Sequence, residues 1–178
     1  MSNTYTQIHI QAIFAVSSRV ALIQTEWKDE LYKYITGILQ TNNHKMIAIN
    51  GMPDHIHVFF GMRPTQSLSD LMQDIKGGSS KWINDKKFVK GKFEWQEGYG
   101  AFSYSHSALD NVIGYINNQK VHHQKQSFKE EYKEFLKTHL DLLFYVGHKK
   151  NILSKDLILK KFLNLDLQIK FKCRESLL

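Results

Sequence analysis

Sulfur chemistry is almost absent from this sequence. A single cysteine, Cys173, stands among 178 residues, which excludes an intramolecular disulfide framework and any multi-cysteine zinc site. Prolines are nearly as scarce, Pro53 and Pro64 alone, so those two positions mark breaks in regular structure. No run approaches the ~20 uninterrupted apolar residues of a membrane helix. The opening residues lack the basic and apolar regions of a secretion signal, and the resulting expectation is a cytoplasmic protein. The Gly-x-x-x-x-Gly-Lys-Ser/Thr pattern is missing, so no phosphate loop is expected. A cluster of three or four carboxylates suited to two-metal nuclease work is missing too; Asp54, Asp70 and Asp74 fall on a turn and a helix.

What is present describes an ordinary globular chain, 42% apolar and 23% charged, of a length that suits one domain. A net charge of +7 and a pI near 9.4 favour a polyanionic partner. The basic residues are densest over 76–92, where Lys76, Lys81, Lys86, Lys87, Lys90 and Lys92 face Asp85 alone. With Trp82, Phe88, Phe93 and Trp95 interleaved or adjacent, this segment reads in two ways. It is either a set of phosphate contacts and stacking platforms for unpaired bases, or a solvated surface whose aromatics turn into the core. On the first reading, Lys76, Ser79, Ser80, Lys81, Lys86 and Lys87 are the candidate DNA contacts.

Residues 5–16 alternate through Ile8, Ile10, Ala12 and Phe14, the period of a strand with one buried face, and His9 and Gln11 share the other. Thr25 opens a helix to about Gln40, with Leu31, Tyr34, Ile35, Ile38 and Leu39 at helical spacing. Lys45 to Asn50 reads as a second strand, Met52-Pro53-Asp54 as a turn, and His55 to Phe60 as a third strand. Beyond Pro64, Ser67 and Asp70 form a capping-box-like start for a helix through Leu68, Leu71, Met72 and Ile75. Gly77-Gly78 either breaks that helix or admits a close neighbour, and Trp82 and Ile83 resume it. A strand near Ala101–Ser105, a helix from Ala108 to about Gln124 and another from Ser127 to about Lys137 complete the series. This order predicts an α+β, ferredoxin-like split βαβ domain with an antiparallel sheet. The first two helices would cover one sheet face, and later helices or a partner subunit the other. The domain spans 1–137, and 138–178 forms an atypical basic, apolar-rich tail.

The centre of the pattern is the third strand. Alternation sends His55 and His57 to one face and Ile56 and Val58 to the other. Neighbouring imidazoles make a half-site for a divalent ion, although a His-x-His pair by itself is more often two hydrogen-bonded strand residues. The helix beginning at Ala108 adds Tyr115 and Gln119, four residues apart and so on one helix face. A Gln carboxamide oxygen is a hard, neutral ligand for Mg²⁺ or Mn²⁺, and a phenol one turn away is placed to attack phosphorus. Each feature is common alone, since Tyr115 is one of eight tyrosines. The significance lies in the combination.

In chain order, Pro53-Asp54-His55-Ile56-His57-Val58, the Lys76-Gly-Gly-Ser-Ser80 segment, Gly98-Tyr-Gly-Ala-Phe-Ser103 and Tyr115-Ile-Asn-Asn-Gln119 resemble the single-tyrosine transposases of the HUH superfamily. These are encoded by the smallest bacterial insertion sequences, and REP-associated tyrosine transposases are close relatives. The resemblance runs from about Tyr5 to Lys137. It implies a ferredoxin-like fold and an obligate homodimer, in which the histidine pair of one subunit can meet the tyrosine helix of the other. It implies Mg²⁺ or Mn²⁺ held by His55, His57 and Gln119. It also implies Tyr115 as a nucleophile that forms a 5′-phosphotyrosine on hairpin-bearing single-stranded DNA and releases a 3′-hydroxyl.

Other functions stay open on sequence grounds. A domesticated processor of chromosomal hairpin repeats or a replication nickase would share the chemistry. A non-catalytic single-stranded nucleic-acid-binding module would share the fold, although no Arg/Lys-Gly-Phe-Gly-Phe-like strand motif is present. A zinc-stabilised structural protein would find His55, His57 and Gln119 a poor ligand set. The roles of His9, His122 and His123 are not fixed; solvent exposure is the simpler reading of the last two.

Overall fold

The computed structural model describes residues 5–122 and Glu130. By compactness the chain divides into residues 1–125 and 126–178. His123, the expected boundary at residue 137 and the tail from 138 lie outside the described residues, as does all but Glu130 of the helix expected from Ser127.

Four strands, β1 (His9–Ala15), β2 (Lys45–Met52), β3 (His55–Gly61) and β4 (Gly100–Tyr104), make one sheet in the order β2-β3-β1-β4. Every pairing is antiparallel, and β3 lies between β1 and β2, as a split βαβ unit requires. The strand expected from residue 5 begins at His9. That residue already faces the last residue of each neighbour, Gly61 and Tyr104, so residues 5–8 have run past the ladder.

Two long helices, α1 (Thr25–Thr41) and α2 (Leu68–Lys86), cover one sheet face. Ile10, Ala12 and Phe14 of β1 and Ile56, Val58 and Phe60 of β3 share a core with Trp27, Leu31, Ile35 and Leu39 of α1 and Leu71, Met72, Ile75 and Ile83 of α2. Each such large side chain removed from water contributes about 1.5–3 kcal/mol, which makes this the structural face of the sheet. Ser67 caps α2 by accepting the Asp70 N–H at 3.1 Å, as its position in the sequence predicts.

Gly77 and Gly78 do not break α2. A Cβ on Gly78 would stand 3.1 Å from Ile38 Cδ1, whereas nothing lies within 4 Å of Gly77. The pair therefore resolves into a close approach of α1 at Gly78. The connection to β4 is tied back to α2 by Asn84, which donates to Phe93 O at 2.9 Å and accepts from Phe93 N at 2.7 Å.

The expected helix over 108–124 is divided. A 3₁₀ turn at His106–Ala108 leads into α3 (Leu109–Asn117), and after Asn118 a short α4 (Gln119–His122) follows. Asn50 of β2 explains the break. Its side-chain nitrogen donates to Ile116 O at 3.0 Å and Asn117 O at 3.1 Å, carbonyls a continuing helix would offer to Lys120 and Val121. Val121 N turns instead to Asn118 O.

Candidate active site

The second sheet face is where the chemistry-bearing residues gather. Strand alternation places Gln11, His55, His57 and Phe59 there, and all four are buried. Gln11 is paired across the ladder with Phe59, and Ile13 with His57. The His55 and His57 rings are 5.2 Å apart between centroids.

The β2–β3 hairpin fixes His55. Asp54, in the tight turn, accepts from His55 Nδ1 at 2.7 Å and from Arg19 Nε at 3.0 Å. The loop after β1 clasps the same turn, with Val16 N bonded to Asp54 O at 2.8 Å and Ile23 N to Pro53 O at 2.9 Å. Ser18 and Arg19 within that loop hold φ of 56° and 57°, a left-handed backbone that costs non-glycine residues of order 1 kcal/mol each. Burial pushes the Asp54 carboxyl up, but the His55 hydrogen bond and charge and the Arg19 guanidinium outweigh it and hold the group at about 2. Burial lowers the His55 pKa against the pull of Asp54. At neutral pH the ring is therefore uncharged, with its proton on Nδ1 facing the carboxylate.

Gly51 sits opposite Ile56 in the hairpin, and no side chain fits there. A Cβ would meet His55 O at 2.2 Å and Ile56 Cα at 2.7 Å. The close approach of β2 to the histidine strand thus depends on glycine.

Helix α3 brings the phenol. Val112 and Ile116 pack on Ala48 and Phe59 to form a second, smaller core. That docking turns Tyr115 toward β3, where its ring meets His57 edge-on with centroids 5.8 Å apart. Asn50, the cross-strand neighbour of His57, fastens the end of α3. Gln119 opens α4, which packs on β2, and is fully buried. Two residues beyond the carbonyls that Asn50 holds, it is delivered to the same end of β2 despite the break in the helix. Tyr104, on β4, lies edge-on to Phe59; burial pushes its pKa up to about 12, as befits a packed phenol.

Among the described residues no group of three His, Cys, Asp or Glu side chains gathers to hold a metal, so an ion at His55 and His57 would need a further donor of another kind, such as an amide oxygen. The Gln119 amide oxygen is a hard donor and the two imidazoles borderline ones, a set that would accept a divalent ion. Asp54 engages His55 Nδ1 and Gln11 engages His57 Nδ1 at 3.0 Å, so Nε2 is the nitrogen through which either ring would have to ligate an ion. Those two nitrogens and Gln119 Oε1 are buried atoms.

The basic segment divides. Lys81, Lys86 and Lys87 are exposed. Lys76 instead donates to Gln96 O at 2.8 Å and Gly98 O at 2.6 Å, acting as a clip for the loop before β4. Ser79 is fully buried and accepts the Trp95 indole N–H at 2.9 Å, so this candidate DNA contact is a core residue. Ser80 donates back to Gly77 O at 3.1 Å. The aromatics of the segment favour the second of its two readings, with Trp82 and Phe88 half-buried and packed against the core. Trp82 stacks on Tyr34 and Phe88 on Trp27, with centroids 4.9 and 5.0 Å apart, so both rings pack against side chains of α1. Phe93 and Trp95 are buried against the same core.

Sequence reasoning placed His55, His57 and Tyr115 on elements that the fold brings together, and Gln119 on a short helix that packs on β2. It placed Gln11 on the correct face without a role, treated Asp54 as a turn residue only, and did not identify Arg19 or Asn50. Asp54 carried a signal in its adjacency to His55. Arg19 and Asn50 did not, since their importance depends on loop geometry and strand register.

Residues 4–119 match the family model described as "Transposase IS200 like". The chain is 25% identical over 118 residues to the ISDra2 transposase TnpA of Deinococcus radiodurans, an alignment covering 64% of this chain and 84% of that one. Among solved structures, a transposase from D. radiodurans R1 superposes with a TM-score of 0.55 at 22% identity, covering 67% of this chain and 95% of the other. A REP-associated tyrosine transposase bound to a REP hairpin superposes with a TM-score of 0.53 at 15% identity, covering 69% and 73%. A family match spanning most of the chain, on a fold shared with tyrosine transposases, shows that this protein belongs to the IS200-like transposase family.

Proposed function

We propose that this transposase cuts and rejoins single-stranded DNA at hairpin-marked ends, with Tyr115 as the nucleophile and His55, His57 and Gln119 as ligands for Mg²⁺ or Mn²⁺. The observation that carries this reading is the Tyr115 ring resting against His57, beside His55. One face thus presents a nucleophile and a candidate ligand pair together. The Tyr115 oxygen would bond to phosphorus as the bond to the 3′ oxygen breaks. The phenol proton departs, and the released oxygen takes one up to become a 3′-hydroxyl. A phosphotyrosine conserves the phosphodiester, so rejoining by a 3′-hydroxyl requires no nucleotide. A bound divalent ion would polarise the phosphoryl oxygens and stabilise developing negative charge.

The protein's own groups supply the remainder. Asn50 fixes the end of the tyrosine helix, and Lys81, Lys86 and Lys87 offer exposed charge for phosphate contacts. The hairpin-bound structural relative supports the choice of a hairpin substrate. Ser79 is buried and holds the Trp95 indole instead, while the half-buried Lys76 and Ser80 each also donate to backbone carbonyls. Assembly as a homodimer forms part of the proposal, each protomer using its own tyrosine helix.

The test is direct. The protein incubated with a single-stranded hairpin oligonucleotide and Mg²⁺ should yield a covalent adduct that survives denaturant, and Tyr115→Phe should yield none while still binding the oligonucleotide. An adduct that persists in Tyr115→Phe would move the nucleophile elsewhere.

A further inference from the structure

We infer that Gln11, and Asp54 held by Arg19, are positioning residues that set which nitrogen of His57 and of His55 faces the reacting centre. This rests on the reading of those histidines as metal ligands.

The two arms differ in chemistry. An ionised carboxylate only accepts hydrogen bonds, so Asp54 at 2.7 Å from His55 Nδ1 admits one neutral arrangement, Nδ1–H with the lone pair on Nε2. Asp54 itself cannot swing away. Arg19 Nε donates to it at 3.0 Å, and backbone bonds from Val16 and Ile23 close the loop over its turn. The left-handed φ of Ser18 and Arg19 persists because these contacts over-determine the loop.

Gln11 is permissive where Asp54 is not. Its amide presents Nε2 to His57 Nδ1 at 3.0 Å, an arrangement in which Nδ1 accepts and the ring proton lies on His57 Nε2. A half-turn of the amide presents Oε1, which accepts Nδ1–H and transfers the lone pair to Nε2. Gln11 is fully buried on the inner strand β1, and the two orientations of a primary amide occupy nearly the same volume. His55 is therefore a ligand set in advance, whereas His57 becomes one when Gln11 turns.

Mn²⁺ titration calorimetry on the full chain, together with ¹⁵N spectra of the histidine rings in metal-free protein, tests this. Gln11→Leu and Arg19→Gln should each weaken Mn²⁺ binding by about 10–100-fold. Gln11→Glu, an acceptor only, should restore affinity to at least the wild-type level. In the spectra, Gln11→Leu should alter the His57 tautomer signals and leave those of His55 in place. A purely structural role predicts changed melting temperature with neither the Glu rescue nor the selective tautomer change. If wild-type protein binds Mn²⁺ and the Leu and Gln variants match it within twofold, the inference is overturned. If wild-type protein binds none, the metal reading fails, and the spectra alone decide whether Gln11 governs His57.

Discussion

Tyr115 and His57 meet within one chain, their rings edge-on at 71° with centroids 5.8 Å apart. The packing of Val112 and Ile116 on Ala48 and Phe59 and the grip of Asn50 on the helix end give that meeting a local cause. On the proposed chemistry, a protomer with this arrangement would use its own tyrosine helix. Mixing Tyr115→Phe with His57→Ala protein is therefore expected to restore no adduct formation on a hairpin oligonucleotide. Recovery to a sizeable fraction of wild-type yield would show that the helix crosses between protomers when DNA is bound.

The strands and the identity of the site face were legible because the period-2 signal in β1 and β3 is strong and the two histidines interrupt it in phase. Element ends were less legible. Residues 5–8 continue the alternation of β1, but they outrun their neighbours, which no local pattern reveals. The aromatics of 82–95 stayed between two readings for a related reason. Trp and Phe beside lysine look the same whether they stack on bases or pack on a neighbouring helix, and only the tertiary contacts with Tyr34 and Trp27 decide. The break at Asn118 was invisible for want of the Asn50 contact, which joins residues 66 apart.

Asn50 should matter more to catalysis than to stability. Asn50→Ala leaves two carbonyls to find water, at a cost of about 1 kcal/mol. Displacing a nucleophile by roughly 1 Å costs about 100-fold in rate, so adduct formation should fall by about 10–100-fold while the urea midpoint moves little. A large loss of stability with unimpaired chemistry in the folded fraction would reverse that order.

Gly51 is expected to tolerate nothing larger than hydrogen. The clash of a Cβ with His55 O and Ile56 Cα is with backbone, which cannot rotate aside, and overpacking of this kind costs about 1–3 kcal/mol or more. Gly51→Ala should lower the melting temperature and weaken Mn²⁺ binding together, since the same backbone carries His55. The contrast is Gly77→Ala, which meets open space and should stabilise α2 by up to about 1 kcal/mol. Equal effects at the two glycines, read by thermal denaturation, would contradict the close approach.

Serine and lysine in the basic segment should separate cleanly. Ser79→Ala removes the acceptor of a buried indole N–H, a loss of about 1–3 kcal/mol, without changing the DNA affinity of the folded protein. Lys86→Ala with Lys87→Ala should leave stability alone and weaken single-stranded DNA binding. The same pair should flatten its salt dependence by about 0.7 for each phosphate no longer neutralised. Fluorescence anisotropy across a salt series reads both, and a Ser79→Ala variant that binds more weakly with an unchanged melting temperature would return Ser79 to the DNA surface.

Asp54 predicts acid sensitivity with a definite sign. Its carboxyl titrates at about 2 in the fold against 3.8 ordinarily, so its contribution is complete above pH 4 and disappears as pH falls toward 2. Burial also lowers the His55 pKa, and that effect acts the same way, stability declining as pH drops below the unfolded value of 6.5. Because Asp54 is half-buried and partly screened, its share is about 1–2 kcal/mol. In metal-free buffer, Asp54→Asn should be less stable than wild type at pH 6, and the gap should close as both approach pH 2. A gap that stays constant over this range would mean the carboxylate's charge contributes nothing, and that Arg19 and His55 hold Asp54 by shape alone.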